Sequence, residues 1–383
     1  MVRIAIAHDY LTQRGGAERV VLALARAFPD APIHTLFFAP DQTYPELGDR
    51  SIHVSALNAI APLRRDPRLA LPLLAAASAT MRIDADVVIA SSSGWAHAFP
   101  TRGRRIVYCH SPARWLYLPE DYLGDAGSLD PKRLALGALA PGLRRWDRRA
   151  ALRADGYLAN SSVVRERIRR VYGIDAPTLF PPFSPAVADG PQEEIPGLDD
   201  WGAHAGAGAA AGRHHLVVSR LKPYKHVDRV IEAFRAMPQR RLLVIGRGPE
   251  RDRLRALAPA NVRLVEGLTD AQMRWAYAHA SALIAASHED FGLTPLEAGA
   301  HGVPTLALRA GGYLDTVEEG LNGTFFEAPD PRQIIAAVER AAAAPWDPER
   351  IRERAQTFAE ERFVRRIRAA VQEQLAMAGT GDA

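Results

Sequence analysis

The stretch RIAIAHDYLTQRGGAERVVLALARAF, residues 3–28, carries the pattern that decides the fold. An apolar run, Arg3–Ala7, predicts a buried strand. A polar loop with Gly15 and Gly16 follows, then an apolar-periodic helix from about Ala17. The second half opens in the same way. In HHLVVSRLKPYKHVDRVIEAFRAM, residues 214–237, a strand over Leu216–Ser219 is followed by a basic loop and a helix from about Val227. Further apolar runs lie at 87–92, 105–110, 156–160, 241–246, 262–267, 281–287 and 304–308. These runs are continuous rather than alternating, and helical stretches separate them. Such strands are covered on both faces, which predicts parallel, doubly wound α/β domains.

With 383 residues the chain has room for two such domains. Between the halves, ADGPQEEIPGLDDWGAHAGAGAAAGR (188–213) lacks periodicity and is rich in Gly, Ala, Pro and acids, so it reads as a linker or mobile loop. The expected division is 1–187, a linker at 188–213, 214–360, and a terminal helix at 361–383. That helix belongs to a charged pattern running from roughly Pro348 to Ala376, with Phe358, Phe363 and Ile367 as an apolar stripe. Two facing α/β domains imply a cleft, and the carboxyl ends of parallel strands are where such folds bind ligands.

Composition narrows the function. Lys and Arg exceed Asp and Glu by 48 to 44, a mild excess that is unevenly spread. Residues 101–170 hold 15 basic side chains against 7 acidic ones, which suits phosphate-bearing substrates, an anionic membrane face or simply solvated helix faces. A single cysteine, Cys109, excludes an intrachain disulfide and fits a reducing compartment. No apolar run reaches the ~18 residues of a membrane span, so a cytoplasmic protein, peripheral to a membrane at most, is expected. The segment 56–83 mixes apolar stretches with Arg64, Arg65 and Arg68, which fits a membrane-surface element or a core helix pair. Aromatic interleaving and nucleic-acid motifs are absent, which argues against a nucleic-acid partner.

The loops at the strand ends carry the chemistry. Ser219, Arg220, Lys222 and Lys225 gather at a strand end before a helix, where α/β sheets bind anions; Arg220 and Lys225 are suited to a pyrophosphate. Gly15 and Gly16 form the matching loop of the first half. His110 leaves the strand RIVYCH at its carboxyl end, with imidazole available for hydrogen bonding or proton transfer. EDFGLTPLE, residues 289–297, places Glu289 in a loop and Glu297 one turn inside a helix that Pro295 helps to start. Phe291, Gly292 and Leu293 supply backbone amides between them. Carboxylates accept from paired hydroxyls and amides attract phosphate, so the order suits a sugar joined through phosphate to another sugar. Two other motifs are set aside. Gly246-Arg247-Gly248 has Arg251 where a dinucleotide fingerprint needs a third glycine, and Asp84-Ala85-Asp86 leads into a strand rather than leaving one. No zinc spacing or Walker loop occurs, and no metal is expected.

Glu289-x7-Glu297 within SHEDFGLTPLEAGAHGVPTLA, preceded by SRLKPYK and GLTDAQMRWAYAHAS, resembles the retaining GT-B glycosyltransferases of family 4. HDYLTQRGGAERVV and YCHSPARWLY are similar to the mannosyltransferase branch that builds bacterial surface polysaccharides from GDP-mannose. The resemblance implies the GT-B fold: two facing Rossmann-like doubly wound domains, a cleft between them, and a C-terminal helix crossing back to the first. It implies transfer of a hexose from a nucleotide-diphosphate sugar, GDP-mannose favoured, to a glycan or lipid-linked acceptor, without metal or other cofactor. Under it, Glu289 holds the donor sugar, Phe291, Gly292 and Leu293 offer amides, and Glu297 binds the ribose. Arg220 and Lys225, with Ser219 beside them, neutralise the departing diphosphate. Gly16, with Gly15, approaches that diphosphate, His110 lies beside sugar and acceptor, and Leu268 touches the base. The sequence departs from the family at His226, where many members carry Gly or Arg. UDP- or dTDP-sugar donors, a GT-B epimerase or phosphorylase, and a silent sugar-nucleotide-binding protein remain as rivals.

Overall fold

The computed structural model describes residues 2–118, 131–198 and 213–379. It divides into two compact units, one built from 1–182 and 360–383 and the other from 183–359. Each carries a six-stranded sheet in which every pairing is parallel.

In the first unit the strands are β1 (Ile4–Leu11), β2 (Ile33–Phe38), β3 (Ile52–Val54), β4 (Val87–Ser92), β5 (Arg104–Cys109) and β6 (Gly156–Ala159). Their spatial order is β3-β2-β1-β4-β5-β6. The second unit contains β7 (His214–Val218), β8 (Leu242–Ile245), β9 (Val262–Val265), β10 (Ala280–Ala285), β11 (Thr305–Leu308) and β12 (Gly323–Phe326), ordered β12-β11-β10-β7-β8-β9. Numbered from its own first strand, each sheet reads 3-2-1-4-5-6, the doubly wound order. Chain order reverses between β1 and β4 in one unit and between β7 and β10 in the other, and at these points loops diverge to leave a crevice.

Three expectations change. The first strand does not stop at Ala7 but runs to Leu11, so His8 and Asp9 lie within the sheet and are almost fully buried. Their polar groups are bonded internally, which is what permits burial. The C-terminal helical pattern is not one helix. It breaks at 357–359 into Pro348–Gln356 and Glu360–Gly379, where the Phe183 amide donates to the Phe358 carbonyl and Phe358 is buried. The boundary drawn at 188 also moves, because Ile195 and Leu198 are buried in the second unit against Leu216, Leu243 and Ile245. Arg274 Nε donates to the Pro191 carbonyl there. Residues 199–212 of the proposed linker lie outside the described residues.

The helix Glu360–Gly379 packs on the first unit. Phe363, Ile367 and Val371 bury into the cluster of Ile6, Val20, Leu24 and Ile89. Arg26 makes a bidentate pair with Glu360, at 2.6 and 2.7 Å. In the basic stretch 101–170, Arg104, Arg165 and Arg169 pair with Asp155, Asp175 and Glu166, the solvated-face reading of those side chains. Residues 119–130 of that stretch lie outside the described residues. Among the described residues no helix is long and apolar enough to cross a membrane.

Candidate functional site

At the switch point of the second unit, β7 delivers Ser219–Lys225 and β10 delivers Ser287–Glu297. Lys225 ends a short 3-10 turn, Pro223–Lys225, and is itself buried. Its ammonium forms an ion pair with Glu289, whose Oε1 also accepts from Ser287 Oγ at 2.7 Å. Ser287 Oγ lies 3.3 Å from the Tyr313 hydroxyl. Burial, and then the Glu289 charge, push the Tyr313 phenol well above its ordinary range, so it remains a neutral hydroxyl. Arg220 is exposed, and no carboxylate pairs with it among the described residues.

Glu289 is held from behind by a close backbone crossing. The Gly312 amide donates to the Glu289 carbonyl at 2.8 Å, and a Cβ on Gly312 would fall 2.2 Å from Phe291 Cα. Gly292 has φ +87, a left-handed conformation open to glycine, and this turn leads into the helix Thr294–Ala300. Glu297, in the first turn of that helix, accepts from the Tyr277 hydroxyl at 2.7 Å. Tyr277 in turn stacks on His301, with ring centroids 5.4 Å apart. Burial, then the Arg352 charge, lower His301 to about 4 and leave it a neutral platform.

The structure thus brings Lys225, Glu289 and the Phe291–Leu293 turn to one strand-end cluster, with Ser219 and Arg220 on the adjacent loop. Two of the predicted contacts can be placed further. Phe291 buries its ring against Phe358, so only its backbone is available for a ligand. Leu268 follows Gly267 and packs, half-buried, against the Leu243–Ile245 cluster. The tyrosines were not foreseen: Tyr277 lies in a helix and Tyr313 beyond the next strand, with no local motif to mark either.

In the first unit, Gly15 is the N-cap of the helix Gly16–Ala27, without a side-chain cap. Glu18, in its first turn, is buried with Oε2 unpartnered; burial raises its carboxyl, opposed next by the charge of His8. Asp9 is held by four backbone amides, those of Ser93, Gly94, Trp95 and Ala96, at 2.6–2.9 Å. His110 follows β5, and its Nε2 lies 2.8 Å from Ser91 Oγ at the end of β4. Sequence reading found His110, Gly15 and Gly16 but missed His8, Asp9, Glu18 and Ser91. The available signal was polar residues inside otherwise apolar strand ends, in AIAHDY and VVIASS. A second buried set, Ser92, His97 and Asp147, has the composition of a hydrolytic triad. His97 and Asp147 are 2% and 0% exposed, and Asp147 also accepts from Tyr117 and Tyr172, so this set ties the helix Pro131–Ala151 to the sheet. Asp84 and Asp86 pair with Arg3, which holds both carboxyls below their usual range.

Two family descriptions match this chain: Glycosyltransferase Family 4 over residues 14–182 and Glycosyl transferases group 1 over residues 212–358. The chain belongs to the family 4 glycosyltransferases. Among the relatives of this family 4 chain, the glycogen synthase of Thermus thermophilus is 35% identical over 131 residues, 32% of this chain and 30% of that one. The D-inositol 3-phosphate glycosyltransferase of Acidothermus cellulolyticus is 32% identical over 145 residues, 33% of this chain and 32% of its own. The GDP-mannose-dependent alpha-(1-6)-phosphatidylinositol monomannoside mannosyltransferase of Mycolicibacterium smegmatis is 30% identical over 147 residues, 34% of this chain and 38% of its own. The matches therefore span about a third of these relatives' lengths. Likeness to solved structures extends further. Anabaena HepE, solved with UDP, aligns with TM-score 0.69 and 18% identity over 97% of this chain and 100% of its own. The sucrose-phosphate synthase of Thermosynechococcus elongatus gives 0.70 and 18% over 98% and 100%. With two parallel six-stranded sheets, the family 4 chain has the GT-B fold.

Proposed function

We propose that this protein transfers a hexose from a nucleotide-diphosphate sugar to a hydroxyl acceptor, with the anomeric configuration retained and without a metal. The observation that carries this reading is the pair of buried Lys225 and half-buried Glu289 at the switch point of the second sheet, beside the exposed Arg220. A diphosphate at this place draws on two cations, and Glu289 is available to the hydroxyls of the attached sugar. Glu297, fixed by Tyr277, takes the ribose hydroxyls.

In the proposed step the bond from the anomeric carbon to the diphosphate oxygen breaks as the acceptor oxygen bonds to that carbon. The acceptor proton passes to the departing diphosphate. A double displacement requires a carboxylate nucleophile under the anomeric carbon. Glu289 is poorly suited to that role because its Oε1 already accepts from Lys225 and Ser287. Front-face attack, with the diphosphate as base and Arg220 and Lys225 stabilising its charge, fits these residues better.

GDP-mannose is the favoured donor, on the M. smegmatis relative and the motifs of the first half; UDP-glucose is the alternative, since Anabaena HepE was solved with it. A glycan or lipid-linked acceptor is proposed. The exposed Ile60, Leu69 and Leu73 beside Arg65 and Arg68 favour the lipid-linked form. A thermal-shift screen of GDP-, UDP-, ADP- and dTDP-sugars, followed by transfer assays, tests the reading. Arg220→Ala and Lys225→Ala are expected to lower turnover by ~100-fold or more. Wild-type turnover in either would sink the phosphate assignment. Glu297→Ala should chiefly raise the donor KM. Stoichiometric binding without transfer would establish the silent binding protein, and turnover of the donor without acceptor would point to an epimerase.

A further inference from the structure

Three buried side chains meet at the ends of β1, β4 and β5, where His8 pairs in register with Ser91. Their exposures are 2% for His8, 0% for Ser91 and 9% for His110. His8 Nδ1 lies 3.0 Å from the Ser91 carbonyl oxygen and 3.1 Å from Ser91 Oγ. Ser91 Oγ lies 2.8 Å from His110 Nε2. The ring of His110 meets the edge of Tyr108 at 5.2 Å and that of His8 at 6.4 Å.

Donor and acceptor rules give this chain a direction. A carbonyl only accepts, so His8 Nδ1 carries the proton that makes the contact to Ser91 O. That nitrogen therefore has no lone pair to offer the serine hydroxyl. Ser91 has one hydroxyl proton, and His110 Nε2 is the remaining acceptor within reach. Nε2 then holds a lone pair, and the neutral His110 ring carries its proton on Nδ1.

We infer that Ser91 is a positioning residue that sets the tautomer of His110 as Nδ1–H, with His8 fixing the direction of the serine. Resting on the function proposed above, this engages the lone pair of His110 Nε2 with Ser91 and makes His110 a hydrogen-bond donor rather than a base. It is not the group that removes the acceptor proton, which leaves that proton to the departing diphosphate. His110 touches substrate in this scheme, whereas Ser91 acts only through it.

Long-range proton–nitrogen spectra of ligand-free protein labelled with 15N-histidine read the tautomer directly, with His110→Gln identifying the His110 signals. Nε2 is expected to show the shift of an unprotonated ring nitrogen and Nδ1 that of a protonated one. Ser91→Ala should move His110 toward the Nε2–H form, whereas Ser91→Thr, which keeps the hydroxyl, should hold the wild-type form. In transfer assays Ser91→Ala should lower kcat about tenfold, the worth of one oriented hydrogen bond, while the donor KM stays within about twofold. A protonated Nε2 in the wild type, or an unchanged tautomer in Ser91→Ala, would overturn the inference. The spectra need no substrate: the expected tautomer in a protein that transfers no sugar would uphold the role of Ser91 and reject the proposed function alone.

Discussion

At the switch point of the second sheet the polar groups are charged and sit on loops: Arg220, Lys225 and Glu289. At the same point of the first sheet they sit on the strands themselves and are sealed, as His8, Asp9 and Ser91 are. The two units share one strand order, so topology alone did not make them different. A loop can present a charge to water and a ligand, as Arg220 does, or hold it half-sealed in an ion pair, as with Lys225 and Glu289. A strand interior can hold polar groups only when every one is bonded internally, which yields direction and rigidity. The second unit is therefore suited to capture an anion, and the first to orient a hydrogen bond.

The largest expected effect tests the sealed side. Asp9→Ala removes the acceptor of four backbone amides in the first unit, three of them buried. Leaving them unsatisfied should cost on the order of 3–5 kcal/mol. Trp95, Trp115 and Trp146 report on that unit through their fluorescence during denaturant unfolding. A loss below about 1 kcal/mol would mean that the carboxylate does not organise this turn.

Acid should weigh on both units next, and more on the second, since burial also holds His34 of the first unit at about 4. Burial holds His214 and His215 of the second unit at about 4, against an ordinary value near 6.5. As pH falls from about 6.5 to about 4, the unfolded chain takes up protons that the folded unit refuses, so stability falls over that window and is fully present above it. Each buried imidazole contributes roughly 1–3 kcal/mol. His215→Phe, placed against Phe234, should flatten the pH dependence of the second unit's unfolding. An unchanged slope between those pH values would refute the assignment.

The smallest effect concerns the loop that carries Lys225. His226 has φ +52, alone among the described non-glycine residues in lying in the left-handed region. His226→Gly relieves ~1–2 kcal/mol of backbone strain and adds ~0.4–1 kcal/mol of unfolded-state entropy. A slightly higher unfolding midpoint is expected, and a lower one would show that the imidazole contributes packing that outweighs the strain.

The same division explains what the sequence made legible. Continuous apolar runs separated by helical stretches mark parallel strands strongly, and the charged loops stand out because no core would hold them. Arg220, Lys225 and Glu289 could be read for that reason, and Glu297 from its spacing to Glu289. The partners Tyr277 and Tyr313 could not, because they reach the cluster from distant segments and look like ordinary helix residues. His8, Asp9 and Ser91 were hidden differently: a polar residue at the end of an apolar run looks like the start of a loop until its pairing partner is known. The family at His226 helps as well, since the left-handed backbone there gives a physical reason why glycine suits the position.

The helix Glu360–Gly379 has a consequence for biosynthesis. The second unit, 183–359, is one uninterrupted piece of chain, inserted into the first. A ribosome thus completes all of the second unit before it makes Phe363, Ile367 and Val371, which finish the core begun by Ile6 and Val20. The first 182 residues emerge early yet keep an uncovered apolar face through the synthesis of the next 177. The unit whose chain is made earlier is the one that matures later, and during that interval its apolar face is open to aggregation.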